Sequence, residues 1–233
     1  MALTTTQMIA EVRDNIRRTS GQISDARLLR WLNWGQEKAA DSHTFEEMRK
    51  IYTGATVASS KRYGFPTRMK DIYSLRILDG ANSRKLTYVN PRNFDTEVPQ
   101  PTEWSTSWPD YYVDYGVIFE LLPIPNSAYD MELRCSVYPE DMDETTQTSS
   151  DLLRKDRLLV AGGTIFGLWA LKEYEEATFW GSEFWRPTLA EAVASDHSAE
   201  DWTPVARPFS AHGGSRVAGV GGSWWTNPFV GRI

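Results

Sequence analysis

The hydrophobic and polar positions of the first fifty residues predict two amphipathic helices. Apolar residues recur at about 3.6-residue spacing after a run of threonines that can cap a helix: Met8, Ile9, Val12 and Ile16. We expect this helix to run to Arg18 and to stop at Gly21. A second helix is expected to open at Ser24. Its apolar stripe comprises Leu28, Leu29, Leu32, Gly35, Gln36 and Ala39, with Trp31 and Trp34 beside it.

From about residue 51 the pattern changes to short β-type segments. Asp79-Gly80 separates two short apolar stretches, which is a hairpin signal. Three further strands are expected in YYVDY, VIFELLP and YDMELRCSVYP. The last alternates apolar and polar positions, so it should have one buried face made by Met131, Leu133, Cys135 and Val137.

Helical periodicity returns in the last third, with one helix expected at about 150–173 and another at about 175–195. The first is apolar nearly all round between Leu158 and Leu171, which indicates a central position. Pro187 should mark a kink in the second helix. Three glycines of the central helix permit close approach of another backbone: Gly162, Gly163 and Gly167.

Residues 197–233 show no periodicity and contain six glycines, three prolines and no lysine. Aromatic side chains are nevertheless spread along them: Trp202, Phe209, Trp224, Trp225 and Phe229. Fully extended, such a segment reaches roughly 120 Å. We interpret it as an arm whose aromatic side chains anchor it to another chain.

These elements predict an α+β fold. Lone helix pairs cannot bury their apolar faces, so the two N-terminal and two C-terminal helices should form one bundle. The expected divisions are 1–50 and 140–196 for the two halves of the bundle, 51–139 for an inserted antiparallel β module, and 197–233 for the arm.

Net charge, cysteine content and apolar runs limit the classes of function that the chain can have. A formal charge of −6 and a pI near 5.2 argue against a protein whose main affinity is for nucleic-acid phosphate. Cys135 is the single cysteine, so no intrachain disulfide can form, and we expect an inert packed thiol in a protein assembled in a reducing cytoplasm. The N-terminus lacks the pattern of a secretory signal, and the longest apolar run, 158–171, is too short to span a membrane.

Candidate chemistry is sparse, and we expect no enzyme, metal or cofactor. The three histidines lie far apart and are interpreted as plain surface residues: His43, His197 and His212. Two acidic pairs, Glu46-Glu47 and Glu175-Glu176, raise the alternative of a cell-wall glycosidase. Adjacent helical residues point in different directions, however, which favours solvated surfaces.

Two further features leave alternatives open. Trp104 and Trp108 lie on a loop and form either a sugar-binding platform or loop packing. Residues 140–151 carry five carboxylates and no basic residue, and they form either a solvated linker or a ring of negative charge around a DNA channel. In the second interpretation the channel-lining acids are Asp141, Asp143 and Glu144.

The chain resembles the head-to-tail adaptor, or head-completion, proteins of tailed bacteriophages. The residues that carry the resemblance are ISDARLLRWLNWGQEKAA, LRILDGANSRKLTYVNPRNFD, YGVIFELLPIPNSAYDMELRCSVYPEDM and LLRKDRLLVAGGTIFGLWALKEYEEATFWGSEFW. The likeness lies in the order of the predicted elements and in their residue patterns, and it includes no catalytic motif. This arm is longer and more aromatic than expected of a minimal adaptor.

The resemblance implies a structural virion protein of the neck, or connector, assembled in the host cytoplasm. It implies a ring, usually of twelve copies, mounted on the portal protein by the C-terminal arm. The helical body would line the channel, through which genomic DNA passes without sequence-specific binding. The β module would face outward or toward the downstream tail, nozzle or stopper protein.

Overall fold

The computed structural model describes residues 3–80, 82–97 and 106–197. The chain divides into two units, Met1–Asp196 and His197–Ile233, and the elements below belong to the first, apart from the last residue of the final helix. The described residues mix helices with two β-sheets, which confirms the predicted α+β class.

The N-terminal helices begin where their capping residues predict. Helix α1 spans Thr5–Asn15, and α2 spans Asp25–Ser42 after Ser24. Thr4 forms a capping box with Gln7: its hydroxyl accepts from Gln7 N at 3.3 Å, and the Gln7 side-chain oxygen accepts from Thr4 N at 2.9 Å.

Helix α1 ends earlier than expected, and Gly21 is not its terminator. Arg17 adopts a left-handed φ of 52° instead. Its N–H bonds to Asp14 O at 3.0 Å, and the N–H of Arg18 bonds to Arg13 O at 3.3 Å. This is the Schellman ending that usually has glycine at the left-handed position. A search for glycine cannot find a helix end that has arginine at the left-handed position.

The middle of the chain forms two four-stranded sheets. One has the order β1-β8-β3-β4 and the other β2-β7-β6-β5. In chain order the strands are β1 Arg49–Ala55, β2 Arg62–Gly64, β3 Met69–Asp79, β4 Asn82–Lys85, β5 Thr87–Val89, β6 Tyr111–Asp114, β7 Ile118–Leu122 and β8 Asp130–Val137. A short 3-10 helix, Glu46–Met48, precedes β1, and helix α3, Pro91–Glu97, follows β5.

The predicted hairpin at Asp79-Gly80 is confirmed by the pairing of Asp79 with Asn82. The expectation of purely antiparallel pairing is wrong, because β5 and β6 run parallel and an isolated bridge between Ser107 and Pro125 is also parallel. The connection between β5 and β6, residues 90–110, includes α3 and is long enough for the crossover that parallel strands require. In β8 the predicted inward residues Met131, Leu133 and Cys135 are buried.

Helix α4 spans Asp156–Ala170, six residues later than its expected start. Arg154 has a left-handed φ of 59°, which an α-helix cannot contain. Ser150 and Asp151 instead bond to distant parts of the chain. The helix ends in a second Schellman motif, with Lys172 at φ 65° and the N–H of Glu173 bonded to Leu168 O at 2.9 Å.

The expected last helix consists of three pieces. Helix α5, Tyr174–Trp180, continues through a π-helical turn, Gly181–Trp185, into α6, Arg186–His197. In the turn Arg186 N–H bonds to Gly181 O, five residues back. Pro187 has no N–H to donate to Glu183 O, so the irregularity lies directly before the proline that predicted it.

The core has a helical part and a β part. Helices α1, α2 and α4 share the first, which includes Met8, Val12, Leu28, Trp31, Leu32, Leu158 and Leu168. The second lies between the sheets and includes Leu75, Ile77, Phe119, Leu121, Leu133 and Cys135. Helix α4 is central, as predicted, and is buried along most of its length.

Candidate assembly surfaces

The acidic segment 140–151 lies along α2 and is held there by two side-chain amides. Asn33 donates to Met142 O at 3.1 Å, and its carbonyl accepts from Met142 N at 3.0 Å. Gln36 donates to Glu140 O at 2.7 Å and accepts from the Ser150 hydroxyl at 2.5 Å. The segment therefore follows a defined path across the helical body.

Buried apolar side chains anchor the same segment. Met142 and Leu152 are each 1% exposed and belong to the helical core. The backbone also reaches α1, because Thr5 N donates to Thr148 O at 2.8 Å. The segment is thus packed at a few anchor points, while most of its side chains, among them Asp141 and Glu144, are exposed as the linker interpretation expects. The many polar residues that suggested a linker make hydrogen bonds within this packed segment.

Asp143 organises a tight loop within the segment. Its carboxylate accepts from the Thr146 hydroxyl and from the N–H groups of Thr145, Thr146 and Gln147, at 2.7, 2.5 and 2.9 Å for the three N–H groups. These hydrogen bonds, with that of the Thr146 hydroxyl the strongest, lower the pKa of Asp143 well below its usual range. Asp143 is thus held in its charged form by the loop it builds.

The other two predicted channel acids lie nearer to solvent. Asp141 pairs with Arg68 at 3.0 Å, and Glu144 is exposed. Arg68 comes from the turn before β3 and has a left-handed φ of 64°. The structure therefore brings a basic residue from the β module to an acidic segment that has none of its own.

The two acidic pairs do not form facing carboxylates. Glu47 bonds to Lys155 Nζ at 2.6 Å, whereas Glu46 lies 3.5 Å from Arg49. Glu175 and Glu176 are both exposed, and Glu176 lies 3.9 Å from Arg17. Each acid of the first pair has its own cationic partner, an arrangement that neutralises charge and gives no support to a glycosidase site.

The tryptophans divide between core and surface. Trp108 is half-buried and packs on Tyr129 with ring centroids 4.6 Å apart, which supports loop packing over a sugar platform. Trp104 lies outside the described residues. Trp31 is 2% exposed, whereas Trp34 and Trp169 are 45% and 60% exposed.

His43 is not the plain surface residue expected. Its side chain is 16% exposed, its Nε2 lies 2.8 Å from Asp196 Oδ2, and its ring packs edge-on against Phe45. Glu46 N donates to the second Asp196 oxygen at 3.1 Å. This cluster ties the end of α6 to the end of α2. Nothing in the local sequence around His43 indicates a partner 153 residues away.

An apolar groove lies between α4 and the α5–α6 segment. It has a volume of about 430 Å³ and is lined by Ile165, Phe166, Trp169, Ala177, Trp185 and nearby small residues. Exposed aromatic side chains lie around it. Because they lie on predicted helices, five tryptophans are expected to be core or subunit-contact residues: Trp31, Trp34, Trp169, Trp180 and Trp185. Trp31 is a core residue, and the groove is a candidate for the subunit contact.

The predicted arm residues lie outside the described part of the chain: Trp202, Phe209, Trp224, Trp225 and Phe229. His212 does too, and His197 is the last described residue. Among the described residues, no cluster of three or more His, Cys, Asp or Glu side chains could hold a metal ion. None of the described helices is long and apolar enough to cross a membrane.

Comparison with known protein families identifies the relationship. The SU10 adaptor protein family matches residues 3–208, which include every described element. The chain belongs to the SU10 adaptor protein family. No curated protein matches it. The resemblance to phage adaptors is thereby confirmed at the level of the family.

Membership makes the chain a structural adaptor of a phage particle. A structural adaptor acts through the surfaces by which it contacts other components of the virion. The match ends at residue 208. It includes Trp202 but stops before Phe209 and the aromatic residues at 224, 225 and 229, so this part of the arm lies beyond the family match.

Proposed function

We propose that this adaptor forms a ring of twelve copies that joins the phage head to the tail. The arm, residues 197–233, docks on the portal protein, and the ring extends the DNA channel and provides the platform for the next tail, nozzle or stopper protein. The observation that carries the proposal is the family match over residues 3–208. The ring, the portal contact and the channel are what we propose in addition to membership of the family.

Each region of the chain has a role in this proposal. Residues 1–50 and 140–196 form the wall of the channel, and 51–139 form a β module that faces outward or toward the tail. The acidic segment supports this division. The exposed carboxylate of Glu144 repels DNA phosphate, whereas that of Asp141 is partly neutralised by Arg68. The repulsion suits a channel through which DNA must pass without adhering.

The arm is proposed to bind by its aromatic side chains. Burying Trp224, Trp225 and Phe229, at about 150–250 Å² each and about 25 cal/mol per Å², is worth on the order of 10 kcal/mol before ordering costs. Large rigid side chains recover those costs best when they fill preformed pockets. Repetition around a ring adds avidity.

The test is a truncated chain that ends at Asp196. We expect it to keep its melting temperature and circular dichroism spectrum, because the helical and β cores lie before that residue. It should lose attachment to portal rings of the same phage in a co-sedimentation assay with an electron-microscopy readout. A triple variant, Trp224→Ala, Trp225→Ala and Phe229→Ala, should weaken attachment by at least tenfold.

The control for the triple variant is Tyr73→Ala, which removes an aromatic side chain that is 45% exposed on β3. It should attach like the unmodified chain. A truncated chain that binds portal rings with undiminished affinity would show that the arm is not the docking element.

A further inference from the structure

We infer that the groove between α4 and the α5–α6 segment receives an aromatic cluster, Phe179 with Phe184, of a second copy of this chain. The inference rests on the proposed ring and identifies the two surfaces that join neighbouring subunits. The contact is head to tail: the groove of one copy meets the cluster of the next.

The groove has the size and chemistry of a receptor for aromatic side chains. Its volume of about 430 Å³ falls within the roughly 300–1,000 Å³ of pockets that enclose organic ligands. Its walls are mostly apolar, with Ile165 and Phe166 on one side and Thr178 and Gly181 on the other. Trp169 at its edge is 60% exposed, which is unusual for the largest apolar side chain.

The cluster is the matching projection. Phe179 and Phe184 are 56% and 43% exposed, with ring centroids 6.0 Å apart. Phe184 also stacks on Trp180 at 4.3 Å, and Trp180 packs against the helical core. The cluster is therefore attached to the body at its base and held in one orientation.

Groove and cluster lie on different faces of one helical segment. The groove residues Ala177, Thr178, Gly181, Ser182 and Trp185 follow the spacing of a single helix face. Phe179, Trp180 and Phe184 occupy the positions between them. Since both surfaces belong to one rigid segment, the cluster of a molecule cannot enter its own groove. A second copy can supply it, and repeated contacts of this head-to-tail type close into rings.

Charge around the two surfaces is complementary. The groove is bordered by Lys38 and Arg186, whereas exposed Glu176 and Glu183 lie beside the cluster. A cluster that enters the groove of a neighbour brings these acids toward the two cations. Such a pattern favours one orientation of the contact and disfavours groove-to-groove or cluster-to-cluster pairing.

The exposed aromatic area makes up a substantial part of an interface. Trp34, Trp169, Tyr174, Phe179 and Phe184 are each 43–60% exposed. At about 150–250 Å² for a whole side chain, their exposed parts sum to about 500 Å². A standard interface buries about 800 Å² per partner, part of which comes from a polar rim. Because the five side chains are shared between the two surfaces, their sum is compared with the whole interface of about 1,600 Å², of which they supply about a third.

Paired cysteine substitutions test the contact in the full-length chain. Lys38→Cys places a thiol at the border of the groove on α2, and Glu183→Cys places one beside the cluster; both native side chains are exposed. Cys135 is 0% exposed and does not compete. The two variants, one with an affinity tag, are mixed in equal amounts, assembled on portal rings and treated with a short bismaleimide cross-linker.

We expect cross-linked heterodimers in the mixture, at least tenfold more abundant than the dimers formed by either variant alone. Dimers formed by each variant alone as abundantly as heterodimers form in the mixture would overturn the head-to-tail contact. So would rings that are visible by electron microscopy yet yield no cross-link, a result that leaves the proposed ring intact. Failure of the unmodified chain to join a ring would instead overturn the proposed function and this inference together.

A second pair of variants separates the contact from folding. Phe179→Ala with Phe184→Ala should reduce ring assembly at least tenfold while the melting temperature changes by only a few degrees, because both rings are exposed. Tyr73→Ala, with a similar exposure of 45%, is the matched control and should assemble normally. Normal assembly of the double variant would overturn the inference.

Discussion

Gly35 allows α2 and α4 to cross at backbone contact. A Cβ atom at this position would lie 3.0 Å from Gly163 N and 3.1 Å from Gly162 C. A Cβ atom on Gly162 would meet the Trp185 ring at 2.7 Å. The close approach predicted from the glycines of the central helix is therefore real, and its partner is the glycine on the stripe of α2.

We predict that Gly35→Ala destabilises the protein by about 1–2 kcal/mol. Overpacking costs about 1–3 kcal/mol, and the better helix propensity of alanine returns up to roughly 1 kcal/mol. The backbone atoms in its way cannot rotate aside as a side chain can. Urea denaturation measures the free energy of unfolding.

Gly181→Ala is the matched control for Gly35→Ala, because Gly181 has helical φ and ψ and its Cβ would meet no atom within 4 Å. It should be neutral or slightly stabilising. Equal free energies of unfolding for the two alanine variants would show that the crossing tolerates a methyl group.

Helix α6 is fixed at its end by Asp196. Burial raises the pKa of this carboxyl, but the hydrogen bond from Glu46 N, the contact with His43 and the charge of Lys155 together bring it below its usual value. A depressed folded-state pKa means that the carboxylate stabilises the fold above the unfolded pKa of about 3.9. That contribution is lost as the pH falls through the folded value.

We predict that Asp196→Asn lowers the free energy of unfolding at pH 6–7 by about 1.5 kcal/mol, the lower end of the range for a hydrogen bond with a charged partner. The deficit should shrink as the pH falls below about 4, because the unfolded carboxyl then takes up a proton that the native carboxyl takes up only at a lower pH. Chemical denaturation of both proteins at several pH values measures the difference in the free energy of unfolding. Glu191→Gln, an exposed change on the same helix, is the control.

A deficit for Asp196→Asn that is the same at pH 7 and pH 3 would contradict this electrostatic role. Amide exchange gives an independent readout at the scale of the element. The variant should exchange faster in the last turn of α6, whereas exchange in α2 and α4 should stay unchanged.

At the scale of the whole molecule, the acidic segment is proposed to face DNA. Asp141→Lys with Glu144→Lys reverses two exposed charges and frees Arg68 from its ion pair with Asp141, without touching Asp143, which holds the loop together. We predict that particles carrying this double variant release DNA severalfold more slowly, because each ring presents many added cations to phosphate. Triggered DNA release from purified particles measures the rate.

The control for charge reversal is Asp79→Lys with Asp130→Lys, which makes the same change on the β module. It should release DNA at the normal rate. If both double variants behave alike, the acidic segment has no special position relative to the DNA.

The elements that could be predicted are those whose signals are local. Thr4 with Gln7, Ser24, and Asp79-Gly80 act through neighbours a few residues away, so the starts of α1 and α2 and the β3–β4 hairpin follow from spacing alone. The ends of α1 and α4 escaped prediction because Arg17 and Lys172 take left-handed conformations that are usually left to glycine.

The candidate surfaces were less accessible to prediction. The tryptophans of the helices were expected at core or subunit contacts. Which of them are buried, like Trp31, and which are exposed, like Trp169, depends on which helix covers each one. Gln36 lies on the apolar stripe of α2, and its position indicates a buried side-chain amide that needs a polar partner. Its partners, Glu140 and Ser150, lie more than 100 residues away.

The sequence by itself determined the α+β class, the order of the elements and the adaptor family, because periodicity, capping and family likeness are carried by residue types along the chain. Only the tertiary structure decided that the acidic segment is packed along α2, that His43 meets Asp196, and that an aromatic groove and cluster lie on different faces of one helix. Each depends on contacts between residues distant in the chain or on which faces stay uncovered. Such contacts are selected by the packing of the whole fold and leave little mark on the local pattern.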